Sequence, residues 1–269
     1  MHDSTTGTQP GPLSAAHLAE LAQARQTLEH PGYVGRMTDL IGMPLERAVQ
    51  SLPAPIKSRI ADATTAALQR GLDVALVSLR NGKLPSTPRM HSAAVALTGA
   101  AGGVFGLAGL AVELPVSTVV MLRSIAEIAR TNGEDLTTLD AQLACLMVFS
   151  LGGAAEAAGT AKSGYHAARI ALTQALAEAG VYLANQRVAS GSAPAIVRLI
   201  SMIAARFNVQ VSQKAAAMMV PVVGAAGGAI VNTLFINHFQ DMARGHFTVR
   251  RLERHYGAEI VQQAYCALA

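Results

Sequence analysis

Apolar residues recur at helical spacing along nearly the whole chain, and the breaks between such runs fall at proline, glycine and asparagine. Ser14 is placed to cap a helix running to about His30, where Pro31-Gly32 stops it. Pro44 suits the first turn of a short helix, "LPAP" (52–55) makes a break, and a long helix follows from about Ile56 to Arg80. After a loop with two prolines, residues 92–112 contain no charged side chain. Glu113-Leu114-Pro115 ends that stretch, and Pro115 starts a helix that Asn132-Gly133 stops. "TTLD" caps an apolar helix at about 139–151, and another runs from beyond Gly152-Gly153 to about Val188. Pro194 opens a helix ending near "RFNV", and Ser212 caps one that meets Pro221. A further helix continues to about Arg244, and two short ones separated by Gly257 complete the chain.

The pattern predicts an all-α fold: a single multi-helix domain over 13–269 behind a disordered tail at 1–12. Composition strengthens this. Hydrophobic residues make up 51% of the chain and aromatics only 4%, so the core is built from alanine and aliphatic side chains, and strand-forming runs are scarce. Two cysteines, Cys145 and Cys266, are too few for a disulfide framework, which points to a reducing compartment. The first residues lack the basic and apolar regions of a secretory signal, so the expected location is cytoplasmic, with peripheral membrane association. A net charge of +4 with few aromatics argues against nucleic acid and suits an anionic membrane surface.

The pentapeptide GAAGG occurs twice, at 99–103 and 224–228. Neither copy has the spacing of a P-loop or a dinucleotide fingerprint. Glycines four apart lie on one helix face and allow two backbones to approach closely, which predicts two central Gly/Ala-rich helices in contact. A membrane reading competes, because 92–112 and the uncharged run Ala215–Gln240 are each long enough to span a bilayer. Their alanine and glycine drive insertion weakly, which favours the core of a soluble bundle.

Two long blocks carry a family resemblance. "GAAGGVFGLAGLAVELPVSTVVMLRSIAEIARTNGEDL" followed by "CLMVFSLGG", and then "RFNVQVSQKAAAMMVPVVGAAGGAIVNTLFINHFQDMARGHFTVRRLERHYG", resemble the EcsC family of bacterial proteins over roughly residues 90–265. The resemblance implies no established active site. It brings three associations: a gene neighbourhood shared with an ABC transporter, a peptidase label on some relatives, and a link to membranes or lipids for others.

Three constellations are candidates for chemistry. Arg123, Glu127 and Arg130 share one face of the helix after Pro115, with Glu113 just before it. The plainest reading is an Arg123–Glu127 ion pair; the alternative is a polar site in an apolar setting. In "NHFQDMARGHFTVRRLERHYG", His238, Asp241 and His246 precede an arginine cluster that includes Arg250 and Arg251. No metal-binding spacing such as HExxH occurs, whereas clustered arginines suit a phosphate or another anionic head. In "AKSGYHAAR", Tyr165 and Arg169 share a face without matching a catalytic motif. Ser150 lacks the GxSxG setting of a nucleophile elbow, and Cys145 has no neighbouring charge to activate it.

These residues lead to a membrane-associated helical protein that binds a lipid or other amphiphile through an anionic head. Glu113, Arg123, Glu127, Tyr165, His238, Asp241, His246, Arg250 and Arg251 are the candidate ligand-binding residues, with no metal, cofactor or assigned catalytic group. Two alternatives stand beside it: a hydrolase of peptidase or lipase type using Glu and His with or without metal, and a non-catalytic accessory of a membrane ABC transporter.

Overall fold

The computed structural model describes residues 11–76, 113–152, 164–185, 193–220 and 224–268. All regular structure among them is helical. The elements are α1 (Ala15–Glu29), α2 (Tyr33–Ile41), α3 (Leu45–Gln50), α4 (Ala54–Val74), α5 (113–131) and α6 (Leu139–Met147). After a 3-10 turn at Val148–Ser150 come α7 (Gly164–Asn185), α8 (Pro194–Met219), α9 (Gly224–Tyr256) and α10 (Ala258–Ala267). The chain is thus an all-α single domain, as the apolar periodicity implies.

Several ends form where the local sequence places them. The Ser14 side chain accepts from His17 N–H, and Thr138 accepts from Ala141 N–H at the start of α6. Helix α5 closes at Gly133, whose φ of +80° only glycine adopts without strain, with Glu134 N–H bonded back to Ala129 C=O.

Two boundaries differ from the sequence reading. Ser212 does not cap a helix: α8 runs unbroken from Pro194 to Met219, and Ser212 is buried within it. Arg244 is no terminus either, because α9 continues to Tyr256. Gly245 is tolerated there because α1 lies against it. A Cβ on Gly245 would sit 2.7 Å from Leu28 Cγ and 3.2 Å from the Ala24 carbonyl oxygen. That position is a close helix contact made by a lone glycine.

The uncharged run Ala215–Gln240 is divided between α8 and α9. Among the described helices, Pro194–Met219 is the one long and apolar enough to cross a membrane, and 44% of its most apolar window is buried against other helices. The GAAGG copy at 99–103 and the stretch 92–112 lie outside the described residues, as does the chain before residue 11. In the second copy, Gly227 and Gly228 are buried near the start of α9.

Helices α8 and α9 form the centre: α8 packs on α3, α4 and α7, and α9 packs on α1, α2 and α10. Four of the six phenylalanines meet there, Phe149 with Phe207 at 4.9 Å and Phe239 with Phe235 at 5.1 Å between ring centroids. The scarce aromatics are therefore spent where the two long helices cross the 3-10 turn, the place that needs the largest volume.

A candidate binding groove beside α9

Helices α6 and α7 pack on each other and, with Arg250 of α9, line a groove of about 610 Å³. Leu143, Ala144 and Met147 come from α6, and Leu176, Ala177 and Gly180 from α7. The small α7 residues keep it open, since even a Cβ on Gly180 would only just touch Leu143 at 3.9 Å. The polar groups that line it are Asp140, Arg169, Thr173 and Arg250.

Each arginine is held by carboxylates. Arg169 makes a forked pair with Glu253 at 2.6 and 3.0 Å. Arg250 forks onto Glu134 through Nε and Nη2 at 2.8 and 3.0 Å, and Nη2 also reaches Asp140 at 2.6 Å. Arg254 binds Glu134 as well and donates to the Asn132 carbonyl at 2.6 Å. The stop at Asn132-Gly133 therefore supplies the acceptors for the second half of α9. Burial opposes the charge of Arg250, yet hydrogen bonds to Glu134 and Asp140 outweigh it and hold the guanidinium above its ordinary pKa. Nη1 of Arg250 and Nε of Arg169 make no hydrogen bond among the described residues.

Behind Arg169 lies a buried polar chain. Arg169 donates to the Tyr165 hydroxyl at 3.3 Å, and that hydroxyl lies 2.9 Å from His246 Nδ1. With the guanidinium donating into the phenol oxygen, the phenol proton is directed to Nδ1. Burial, then the charges of Arg169 and Arg250, press His246 well below its ordinary pKa, so the ring is neutral and able to accept. The Glu29 carboxylate receives the Gly164 and Tyr165 N–H groups at the start of α7, and also the Tyr265 hydroxyl at 2.9 Å. A carboxylate on a helix N-terminus is stabilising, and this one fixes α7 against α1 and α10.

A second ionic site lies in the dry core. Lys214 Nζ is 2.6 Å from Glu113 Oε1 and 2.8 Å from Asn232 Oδ1, and it sits 4.9 Å from the centre of the Phe235 ring. Both charged side chains are almost wholly buried. Desolvation pulls Lys214 below its ordinary pKa, and Glu113 opposes that pull. Glu113 Oε2 has no hydrogen-bond partner among the described residues.

The nine candidate residues thus fall in several places. Arg250 lines the groove, and Tyr165 and His246 stand behind it. Glu113 belongs to the core pair. His238 is buried on α9 with its ring 4.7 Å from Tyr33, and neither His238 Nε2 nor the Tyr33 hydroxyl has a hydrogen-bond partner among the described residues. Burial, then the Arg36 charge, lowers the His238 pKa to about 3. The ring fits against Gly152, where an added Cβ would stand 2.4 Å from His238 Cε1. Asp241 pairs with Arg244, and Arg251 pairs with Glu20, in a polar cleft between α1 and α9.

The expected Arg123–Glu127 pair does not form. Glu127 turns to Arg130 at 2.5 Å, while Arg123 is half-buried, with its Nε enclosed and unbonded among the described residues. The exposed Arg130 presents two nitrogens to Glu127. Cys145 is buried, which pushes its thiol pKa up, and the Ser150 hydroxyl is used in bonding the Met147 carbonyl. Among the described residues no three His, Cys, Asp or Glu side chains are grouped as metal ligands.

Sequence reasoning missed Lys214, Glu134, Asp140 and Glu253. Lys214 had a signal: it is the sole charged residue between Arg206 and Asp241. Charges isolated in so apolar a run are kept only if paired. The acidic partners had none, since each lies far along the chain from the arginine it meets.

This helical bundle belongs to the EcsC protein family, whose model matches residues 15–252. The match reaches back through α1 to α4, beyond the blocks that carry the resemblance in the sequence. No curated protein and no solved structure matches the chain.

Proposed function

We propose that this protein binds a lipid or similar amphiphile in the groove between α6 and α7, with its anionic group on Arg169 and Arg250. The observation that carries this reading is a cleft of about 610 Å³, mostly aliphatic, with two arginines on its wall. An aliphatic chain gains by leaving water along such a surface, at roughly 25 cal/mol per Å² buried. The unfilled Arg250 Nη1 and Arg169 Nε then supply one charged donor from each guanidinium to a phosphate or carboxylate. The outer face of α7 beside the groove exposes two large apolar side chains, Ile170 at 69% and Val181 at 64%. A bilayer surface is a natural source for the ligand, and the net positive charge favours an anionic one.

The test is native mass spectrometry of the purified protein and of Ala177→Trp. Ala177 is exposed and lines the groove, so a bulky ring there fills the cleft without entering the core. The wild-type protein is expected to carry a lipid-mass adduct that the variant lacks. An adduct retained by Ala177→Trp would place the ligand elsewhere. A protein free of lipid that also takes up none on titration would end the proposal.

A further inference from the structure

Resting on the groove reading, we infer that the preferred ligand head is zwitterionic, with a cationic amine beside its phosphate, and that Asp140 selects it. The charges around the groove balance: Arg169, Arg250 and Arg254 meet Glu134, Asp140 and Glu253. The pairs differ in how easily a ligand can exchange them. The Glu134 side chain is 5% exposed and that of Glu253 14%, and each accepts a forked guanidinium, so parting them strands a carboxylate away from water. The Asp140 side chain is 79% exposed and holds Arg250 by one bond. The Arg250–Asp140 bridge is therefore the exchangeable pair.

A purely anionic head that takes Arg250 from Asp140 leaves that carboxylate beside the incoming anion, with like charges in contact. A phosphoethanolamine-type head avoids this. Its phosphate replaces Asp140 on Arg250, and its ammonium replaces Arg250 on Asp140, so one exposed ion pair becomes two. The two protein groups already stand 2.6 Å apart and both line the groove, so a head with neighbouring opposite charges reaches both.

The experiment is isothermal titration of the full chain with dihexanoyl phosphatidylethanolamine and dihexanoyl phosphatidylglycerol, both kept monomeric. The wild-type protein is expected to bind the ethanolamine head about fivefold more tightly, the scale of one exposed ion pair. Asp140→Asn should abolish the preference, and Asp140→Glu should keep it. Equal affinities in the wild-type protein, or a preference for glycerol, with both lipids weakened by Ala177→Trp, would overturn the head assignment and leave the groove standing. Binding of neither lipid, or binding indifferent to Ala177→Trp, would remove the groove reading as well.

Discussion

The two halves of α9 are anchored by ion pairs of opposite character. In its first half, Asn232 helps to enclose Lys214 and Glu113 where almost no water reaches. In its second half, Arg250 and Arg254 join carboxylates that range from nearly buried Glu134 to exposed Asp140, and Glu253 receives Arg169. The chemistry is the same and the surroundings are not. In the dry pair, desolvation opposes ionisation, and either partner left alone is a buried charge. At the groove, water and spare donors allow one pair to open without stranding the others. The contrast separates a seam that fixes three helices from a surface that can exchange a partner.

The largest test of that contrast is at Lys214. Lys214→Met alone should cost about 3–5 kcal/mol, because Glu113 stays buried without its cation. The double variant Glu113→Leu/Lys214→Met should return to within about 1 kcal/mol of wild type, or exceed it, since both desolvation costs vanish. Urea unfolding of the pair measures this; a double variant as weak as the single would show that the pair itself stabilises the seam.

Acid should weaken the dry half next. His238 has its folded pKa near 3, against an ordinary value of 6.5, so below pH 6.5 the unfolded chain takes up a proton that the folded chain refuses. Its contribution is fully present above that value and declines as pH falls towards 3, at up to about 1.4 kcal/mol per pH unit. His246 is shifted in the same direction. His238→Phe should flatten the pH dependence of unfolding over that window, and an unchanged slope would mean that the ring is not protected from protons.

Between the two halves, Gly245→Ala should destabilise by about 1–3 kcal/mol, since the new methyl meets Leu28 and the α1 backbone. Gly71→Ala in α4 is its counterpart. There a Cβ finds ordinary contacts at 3.8–3.9 Å, so a gain of about 0.4–1 kcal/mol is expected. Thermal melts of the two variants should move in opposite directions.

The smallest effect belongs to the wet half. Asp140→Asn should leave stability within about 0.5 kcal/mol of wild type at 0.15 M salt, because the carboxylate it removes is exposed and screened and Arg250 keeps Glu134. A loss of several kcal/mol there would make the groove rim as rigid as the seam.

Much of the fold was legible in the chain. Helical periodicity and the punctuation at Ser14, Thr138 and Gly133 each act through neighbours within one or two turns, so the sequence carries them openly. Ser212 and Arg244 misled because a cap or a stop is only a local preference, and packing overrides it when both sides of the position are buried. The candidate site was legible in part. The arginines on α9 and the Tyr165–Arg169 face are visible as local clusters, and Lys214 as an isolated charge. Which carboxylate neutralises which arginine is a contact between residues more than 80 positions apart, as in Arg169–Glu253. By itself, then, the sequence determined the helices, the apolar character of the core and the supply of cations. Tertiary structure alone decided which ion pairs are dry, which face water, and where a groove is left beside them, because desolvation depends on what the rest of the fold brings within a few ångströms.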